Sequence, residues 1–238
     1  MSIDVLAIGA HPDDADLGVG GLLCKLAQAG KQAVVLDLTK GELGSRGTVE
    51  ERRIEASEAA RTLGILGRRN AGLPDGGIAN SPEQRLILIR ILRELKPALL
   101  LAPMAPDRHP DHAAAHDLVR DANFFAGVHG VDTGQPPHRA GTIYFYRAYE
   151  GGTESPSHVV DISLVFEQKL TALRAFRSQF YNPGYTGPET MIASPAFWEG
   201  ITTRAAYWGN RIGVRYGEPL YGTLPVAMDL PPELESPL

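Results

Sequence analysis

Short, nearly continuous apolar runs alternate along the chain with longer stretches in which apolar residues recur every three to four positions. The first kind reads as a strand buried on both faces, the second as an amphipathic helix. Ile3 to Gly9, Ala33 to Leu38, Ala98 to Ala102 and Thr142 to Ala148 are runs of the first kind, and Asn70 to Leu73 is a weaker one. Between them, Gly20 to Ala29, Thr48 to Leu63, Ser81 to Leu95 and Asp111 to Phe125 carry helical spacing. Gly30 and Gly64 stand where a glycine ends a helix. Thr48 and Glu51 form a capping-box pattern, and Ser81-Pro82 a cap followed by a first-turn proline.

Strand–helix alternation implies right-handed crossovers and helices on both faces of the sheet. The expected fold class is therefore α/β, a Rossmann-like three-layer fold with a mostly parallel sheet. In the common doubly wound order, strands one and four are neighbours, and ligands bind beyond the carboxyl ends of the strands there. After residue 150 the pattern changes. His158 to Ile162 reads as a short strand, Ser163 to Ser178 as a helix, Tyr181 to Pro188 as a Gly/Pro loop and Pro195 to Gly209 as a helix. Gly217 to Leu238, rich in Pro and Gly, is expected to wrap the surface. The reading is one domain over 1–238, with a core at 1–150 and a C-terminal elaboration at 151–238 that walls the site.

Composition narrows the class. A net charge of −5 gives no electrostatic case for nucleic acid or an anionic membrane. No run reaches the ~18–20 apolar residues of a membrane span. The N-terminus enters a strand at once, with no basic region ahead of it, and so is not read as a signal peptide. Cys24 is the only cysteine, so no intrachain disulfide forms, and its apolar surroundings read as those of a buried structural thiol. The expected location is the cytoplasm.

Two segments carry the chemistry: His11-Pro12-Asp13-Asp14 after strand one, and His109-Pro110-Asp111-His112 after strand four. The topology brings them together. Gly18-Val19-Gly20-Gly21 lacks the spacing of a dinucleotide loop, and Asp13 and Asp14 would repel a pyrophosphate. A divalent cation suits those carboxylates better. A catalytic ion takes three protein ligands and leaves a position for water. Consecutive aspartates diverge, so one ligates while its neighbour faces the water, which supplies a Lewis acid and a general base. Of His109 and His112, one could ligate and the other meet a developing oxyanion. His116 has the i, i+4 spacing of a helical ligand, but the set is already filled, and a polar contact on the helix is the reading kept for it. His129, His138 and His158 stand alone and are read as structural or solvated.

Ala10 to Gly18 together with His109 to His112 resembles the PIG-L/LmbE-type zinc-dependent N-acetylglucosaminyl deacetylases. Asp37 to Leu43, Gly47 to Ala56, Leu73-Pro74-Asp75, Asp107 to His112 and Val160 to Ser163 are similar to the subgroup of the bacillithiol pathway, which removes acetate from N-acetylglucosaminyl L-malate. Ser178 to Phe180 and Arg204 to Gly217 extend the likeness through most of the chain. The resemblance implies roles. His11, Asp14 and His112 would hold the metal, zinc or, in the cell, ferrous iron. Asp13 would be the general base and His109 the stabiliser of the tetrahedral intermediate. Asp111 would orient a ligand or cap its helix. Arg52 and Glu42 match positions that touch the sugar, Asp75 lies in the matching turn, and Arg108 could grip a malate carboxylate. For Arg52 the plainer alternative is a pair with Glu55 on the helix surface. The partner implied is a small amino-sugar conjugate, and the subgroup suggests a homo-oligomer such as a hexamer.

Two other classes compete. A metal-dependent sugar-binding protein would need the ligands but not the spare carboxylate of Asp13. A metal phosphatase would need a second ion or more cations around one. Another N-acetylglucosaminyl conjugate, inositol-linked or a chito-oligosaccharide, is the alternative substrate.

Overall fold

A seven-stranded sheet in the order β3-β2-β1-β4-β5-β7-β6 organises the molecule. The computed structural model describes residues 2–149 and 154–222. Its strands are β1 (Val5–Gly9), β2 (Ala33–Asp37), β3 (Gly67–Asn70), β4 (Leu99–Pro103), β5 (Thr142–Tyr146), β6 (His158–Asp161) and β7 (Gly217–Gly222). Its helices are α1 (Asp14–Gln28), α2 (Val49–Leu63), α3 (Pro82–Leu95), α4 (Pro110–Ala126), α5 (Phe166–Arg174) and α6 (Pro195–Arg211). β1 to β5 run parallel, and β7 pairs antiparallel with both β5 and β6. The α/β class and the mostly parallel sheet are as expected. β1 and β4 are neighbours, with Val5 opposite Leu99 and Ala7 opposite Leu101.

Both faces of the sheet are buried, which explains the continuous apolar runs. Val5 and Ala7 of β1 face a core closed by Leu23, Ala59, Phe166, Leu173 and Ile201. Leu6 and Ile8, on the alternate side, face a second core with Leu88, Leu92, Leu118 and Ala122. α2 opens with the capping box of Thr48 and Glu51 and ends on Gly64 at φ 77, a left-handed conformation that glycine adopts without strain. Among the described residues, no helix is long and apolar enough to cross a membrane.

Several boundaries differ from the sequence reading: α5 is shorter than the expected Ser163 to Ser178, and three other differences bear on the site. β3 lies at Gly67–Asn70, not Asn70 to Leu73. Its polar sequence hid it, because Arg68 is pulled into the sheet edge by Asp37 at 2.7 Å and Asp16 at 2.9 Å. Gly217–Gly222 is a strand inside the sheet, not a surface wrap; residues 223–238 of that expected tail lie outside the described ones. Pro219 is tolerated there because the pairing with β5 covers only Gly222 and Tyr221, so its missing N–H costs no bond on that side. α1 begins at Asp14, six residues before Gly20, and breaks at Val19 (φ −136, ψ 18).

That break has a built support. Gly21 and Leu22 restart the helix with free amides, and both donate to the Glu218 carboxylate of β7 at 2.8 and 2.7 Å. On the near side of the break, the Leu17 carbonyl accepts from Lys169 at 2.8 Å and Arg204 at 3.1 Å. Lys169 and Glu218 are themselves paired at 2.6 Å. The glycines let this close approach happen: a Cβ on Gly18 would lie 2.1 Å from the Tyr146 ring, and one on Gly21 2.7 Å from Ile162.

Candidate active site

The ends of β1 and β4 position the site. β1 stops at Gly9, Ala10 leads into His11-Pro12-Asp13, and α1 starts on Asp14. β4 stops at Pro103, and the following loop delivers His109 as the N-cap of α4. The two tetrapeptides therefore meet. Ring centroids of His11 and His109 are 4.7 Å apart, those of His109 and His112 4.9 Å, and those of His11 and His112 5.5 Å.

The Asp14 carboxylate sits between two imidazoles, 3.4 Å from His11 Nδ1 and 3.2 Å from His112 Nε2. It also accepts from the His11 backbone N–H at 2.8 Å. The far nitrogens are braced. His11 Nε2 faces Asp75 at 3.1 Å and Asp111 at 3.3 Å, and His112 Nδ1 faces Asp107 at 3.3 Å. Asp111 is fixed in turn by the Gly76 amide at 2.8 Å, and Asp107 by the His109 amide at 2.8 Å. Carboxylates behind histidines in this way fix ring orientation and basicity. The pairing of Asp107 with His112 escaped the sequence reading, although Asp107 stands two residues before His109 within a motif already noted.

Asp13 has a different environment. Its backbone is at φ 127, ψ −25, a region that strains any residue with a side chain. It is buried, and its described polar partner is Arg52 at 3.4 Å. Arg52 also donates to the Gly41 and Pro12 carbonyls at 3.0 and 2.9 Å. It does not pair with Glu55, whose carboxylate goes instead to the Ser178 amide and hydroxyl. A Cβ on Gly41, at φ 68, would overlap the Arg52 guanidinium, so that loop needs glycine on both counts.

His11, Asp13, Arg52, Asp75, His109 and Tyr149 line one cavity of about 230 Å³; Asp14 and His112 lie beneath it, each 1% exposed. Arg108 stands on the far side of Tyr149, its guanidinium 4.8 Å from the ring centroid. Glu42 is not among the cavity residues: its carboxylate accepts from the Asp75 and Lys40 amides at 3.0 and 3.1 Å. Asp75 returns the bond by accepting from the Leu43 amide at 2.8 Å, so the two loops clamp each other. His116 is turned away, with Nδ1 at the Pro103 carbonyl and the Ala105 amide. The Tyr185 hydroxyl is spent on the backbone, where it accepts from the Gly47 amide. A larger cavity of about 370 Å³ opens behind Pro12, but its buried Arg68 is already held by Asp16 and Asp37.

Charge follows the geometry. Burial would lower both imidazoles, but the hydrogen bond and charge of Asp14 raise His11 to about 9, and Asp14 with Asp107 raises His112 to about 10. Burial would lift Asp14; the two imidazoles outweigh it and hold that carboxylate well below its usual range. Burial pushes Asp13 up to about 7 against the opposing Arg52 charge. His109 is lowered by burial and by the charges of His11 and His112. Its Nδ1 accepts from the Asp111 amide at 3.2 Å, which places the proton of a neutral ring on Nε2.

The donor set suits a divalent ion. His112 Nε2 is buried 3.2 Å from Asp14, yet it makes no well-directed hydrogen bond among the described residues, so its lone pair is open to an ion held with that carboxylate. Imidazole nitrogens of His11, His109 and His112 all lie within 4.8 Å of one another, so His109 competes with Asp14 for third place on distance alone. His11, Asp75 and Asp111 form a second such group, read here as the brace behind His11. Protons and a cation would contest the same lone pairs, so metal affinity should rise with pH.

The family model for GlcNAc-PI de-N-acetylases (PIG-L) matches residues 6–123. A diacetylchitobiose deacetylase of Thermococcus kodakarensis is 34% identical over 90% of this chain and 80% of its own. Among solved structures, a conserved protein of Thermus thermophilus superposes with a TM-score of 0.86 at 41% identity, covering 95% of this chain and 97% of its own. N,N'-diacetylchitobiose deacetylase from Pyrococcus horikoshii, complexed with its inhibitor MPG, gives 0.79 at 30% identity over 91% and 82%. With both histidine–aspartate segments inside the matched region and a relative of this similarity along nearly its whole length, the chain belongs to the PIG-L family of de-N-acetylases.

Proposed function

We propose that this protein hydrolyses the N-acetyl group of an N-acetylglucosaminyl conjugate, with Asp13 as base and His109 as oxyanion donor. One observation carries the reading. Asp14 is buried between two imidazoles, while its neighbour Asp13 faces the cavity and, among the described residues, has Arg52 as its side-chain partner. A binding protein has no use for that second carboxylate.

His11, Asp14 and His112 would hold the ion, zinc or ferrous iron, which when bound supplies Lewis acidity toward the acetamide carbonyl. Asp14 is preferred to His109 as third ligand because it is anionic and contacts both imidazoles, whereas His109 is half-buried at the cavity wall. Asp13 takes a proton from the attacking water as it adds to the acetamide carbon. His109 donates its Nε2 proton in a hydrogen bond to the oxygen as charge develops there. Asp13 then passes its proton to the departing nitrogen, the C–N bond breaks, and acetate and a free amine result. Arg52 holds Asp13 in place. Asp107, Asp111 and Asp75 hold the rings.

The aglycone proposed first is L-malate, as in the bacillithiol pathway. It is supported by Arg108, an exposed guanidinium beside the site with no carboxylate partner among the described residues. The second reading, a chito-oligosaccharide, is favoured by the relatives at 34% and 30% identity. Acetate release by the metal-loaded protein from the malate conjugate, diacetylchitobiose and the inositol conjugate tests both. Release from none of them refutes the deacetylase assignment. Arg108→Lys keeps the charge but loses the fork; it should lower kcat/KM for the malate conjugate, relative to diacetylchitobiose, by roughly tenfold. Equal losses on the two would remove malate as the reason for Arg108.

A further inference from the structure

We infer that the cavity on the far side of Tyr149 is the subsite for the group attached to the sugar, and that it takes an aglycone with an apolar ring face and one carboxylate. This rests on the deacetylase reading above. Tyr149 lines both the catalytic cavity of about 230 Å³ and a second one of about 320 Å³, so the two share a wall. The first, at that volume, suits one sugar ring with its acetamide; anything joined to the sugar must leave past Tyr149 or into solvent.

The walls of the second cavity state its chemistry. Met191, Phe197 and Ile201 present apolar surface across from the Tyr149 ring. That ring is held: it stacks on His112 at an interplanar angle of 6° and 5.5 Å, and Phe197 packs against it at 5.8 Å. Arg108 lies over the same ring and makes no ion pair among the described residues. The other guanidinium of this cavity, Arg204, donates to the Ala148 and Leu17 carbonyls and so serves the fold. Among the described residues, a cation without a carboxylate therefore stands at the edge of an apolar slot. Malate would satisfy Arg108 and still leave exposed Met191 and half-buried Phe197 against water, so the slot also accepts aglycones larger than malate. A ring carrying a carboxylate covers both.

Gly200 of α6 gives a clean test. It lines this cavity, and a Cβ added there meets nothing within 4 Å. Gly200→Leu replaces a helix-interior glycine by a good helix former, so the fold is not at risk from the change. The measurement is kcat/KM of the metal-loaded full chain on methyl, phenyl and 4-carboxyphenyl N-acetylglucosaminides, each as both anomers. The wild type should prefer the 4-carboxyphenyl compound to the methyl one by at least tenfold, with phenyl between them. In Gly200→Leu that ratio should fall at least tenfold. Phe197→Leu, which removes the ring but keeps apolar volume, should lower it too, and it decides the matter should Gly200→Leu melt early. A wild type that turns over all three equally, or a ratio that neither variant changes, overturns the subsite alone. No acetate from any of the three overturns the deacetylase reading and the subsite with it.

Discussion

Replacing Lys169 by Met tests what holds the break in α1 open. Lys169 and Glu218 are each 2% exposed and paired at 2.6 Å. The pair serves the backbone on both sides of Val19: Lys169 on the Leu17 carbonyl, Glu218 on the Gly21 and Leu22 amides. Burial holds Lys169 below the ordinary lysine range even with Glu218 beside it, so the charges do not fully offset their desolvation. Removing one partner strands the other, at a cost of about 3–5 kcal/mol. For a chain of this size that lowers Tm by roughly 6–20 °C. Lys169→Met with Glu218→Gln leaves no stranded charge, and the amide oxygen can still accept from one of the two N–H groups. The double variant should therefore recover about 2–3 kcal/mol relative to the sum of the singles. Urea unfolding followed by circular dichroism gives all four corners of the cycle. Additivity within about 0.5 kcal/mol would refute the reasoning, because it would mean that the pair is not a unit. Zinc affinity should fall in Lys169→Met while the protein stays folded, since the helical segment that starts with Asp14 ends at this break.

Asp13→Asn should keep its metal and lose roughly 10²-fold or more in kcat, whereas His112→Ala should lose metal and activity together; elemental analysis separates the two, and full occupancy in His112→Ala would remove that residue from the ligand set. Asp107→Asn should weaken metal binding about 10–100-fold, read by chelator competition, because His112 Nδ1 loses the carboxylate that orients it; an unchanged affinity would make Asp107 a cap for the His109 loop only. Cys24, fully buried and with its thiol pushed up to about 12 by burial, should resist iodoacetamide at pH 8 until the chain unfolds; rapid native-state labelling by mass spectrometry would contradict the packing of α1.

The parts of the fold that were legible are those where one physical cause dominates. β1, β2 and β4 lie between two cores, so both faces of Leu6, Ala7 and Ile8 demand apolar residues, and the run is unmistakable. α2 carries its own start and stop in Thr48, Glu51 and Gly64. The meeting of the two tetrapeptides was legible for the same reason: the fold places strand ends one and four together, with one tetrapeptide just past β1 and the other a short loop past β4. β3 and β7 were not legible because their residues answer to distant partners. Arg68 reads as a surface residue until Asp16 and Asp37 are seen around it, and Glu218 as a tail residue until Gly21 and Leu22 are. Those partners lie far away in sequence, and no local periodicity reports them.

The rules that sequence reading relies on fail in this chain at connected places. Asp13 takes a backbone conformation that penalises its side chain, and α1 breaks at Val19. Charged residues are buried at Asp14, Asp16, Arg52, Lys169 and Glu218. All of them surround the first six residues of α1. A regular helix restarted at Gly20, as its periodicity suggests, would leave Asp13 and Asp14 on a free loop. Continuing the helix back to Asp14 fixes that carboxylate between His11 and His112, and the strained turn before it turns Asp13 toward the cavity. The exposed backbone created by the break then requires the buried Glu218 and Lys169. The departures from local preference are thus one device: a strain at Asp13 and a break at Val19 that hold two adjacent carboxylates in different environments, as the proposed division between ion binding and proton transfer requires.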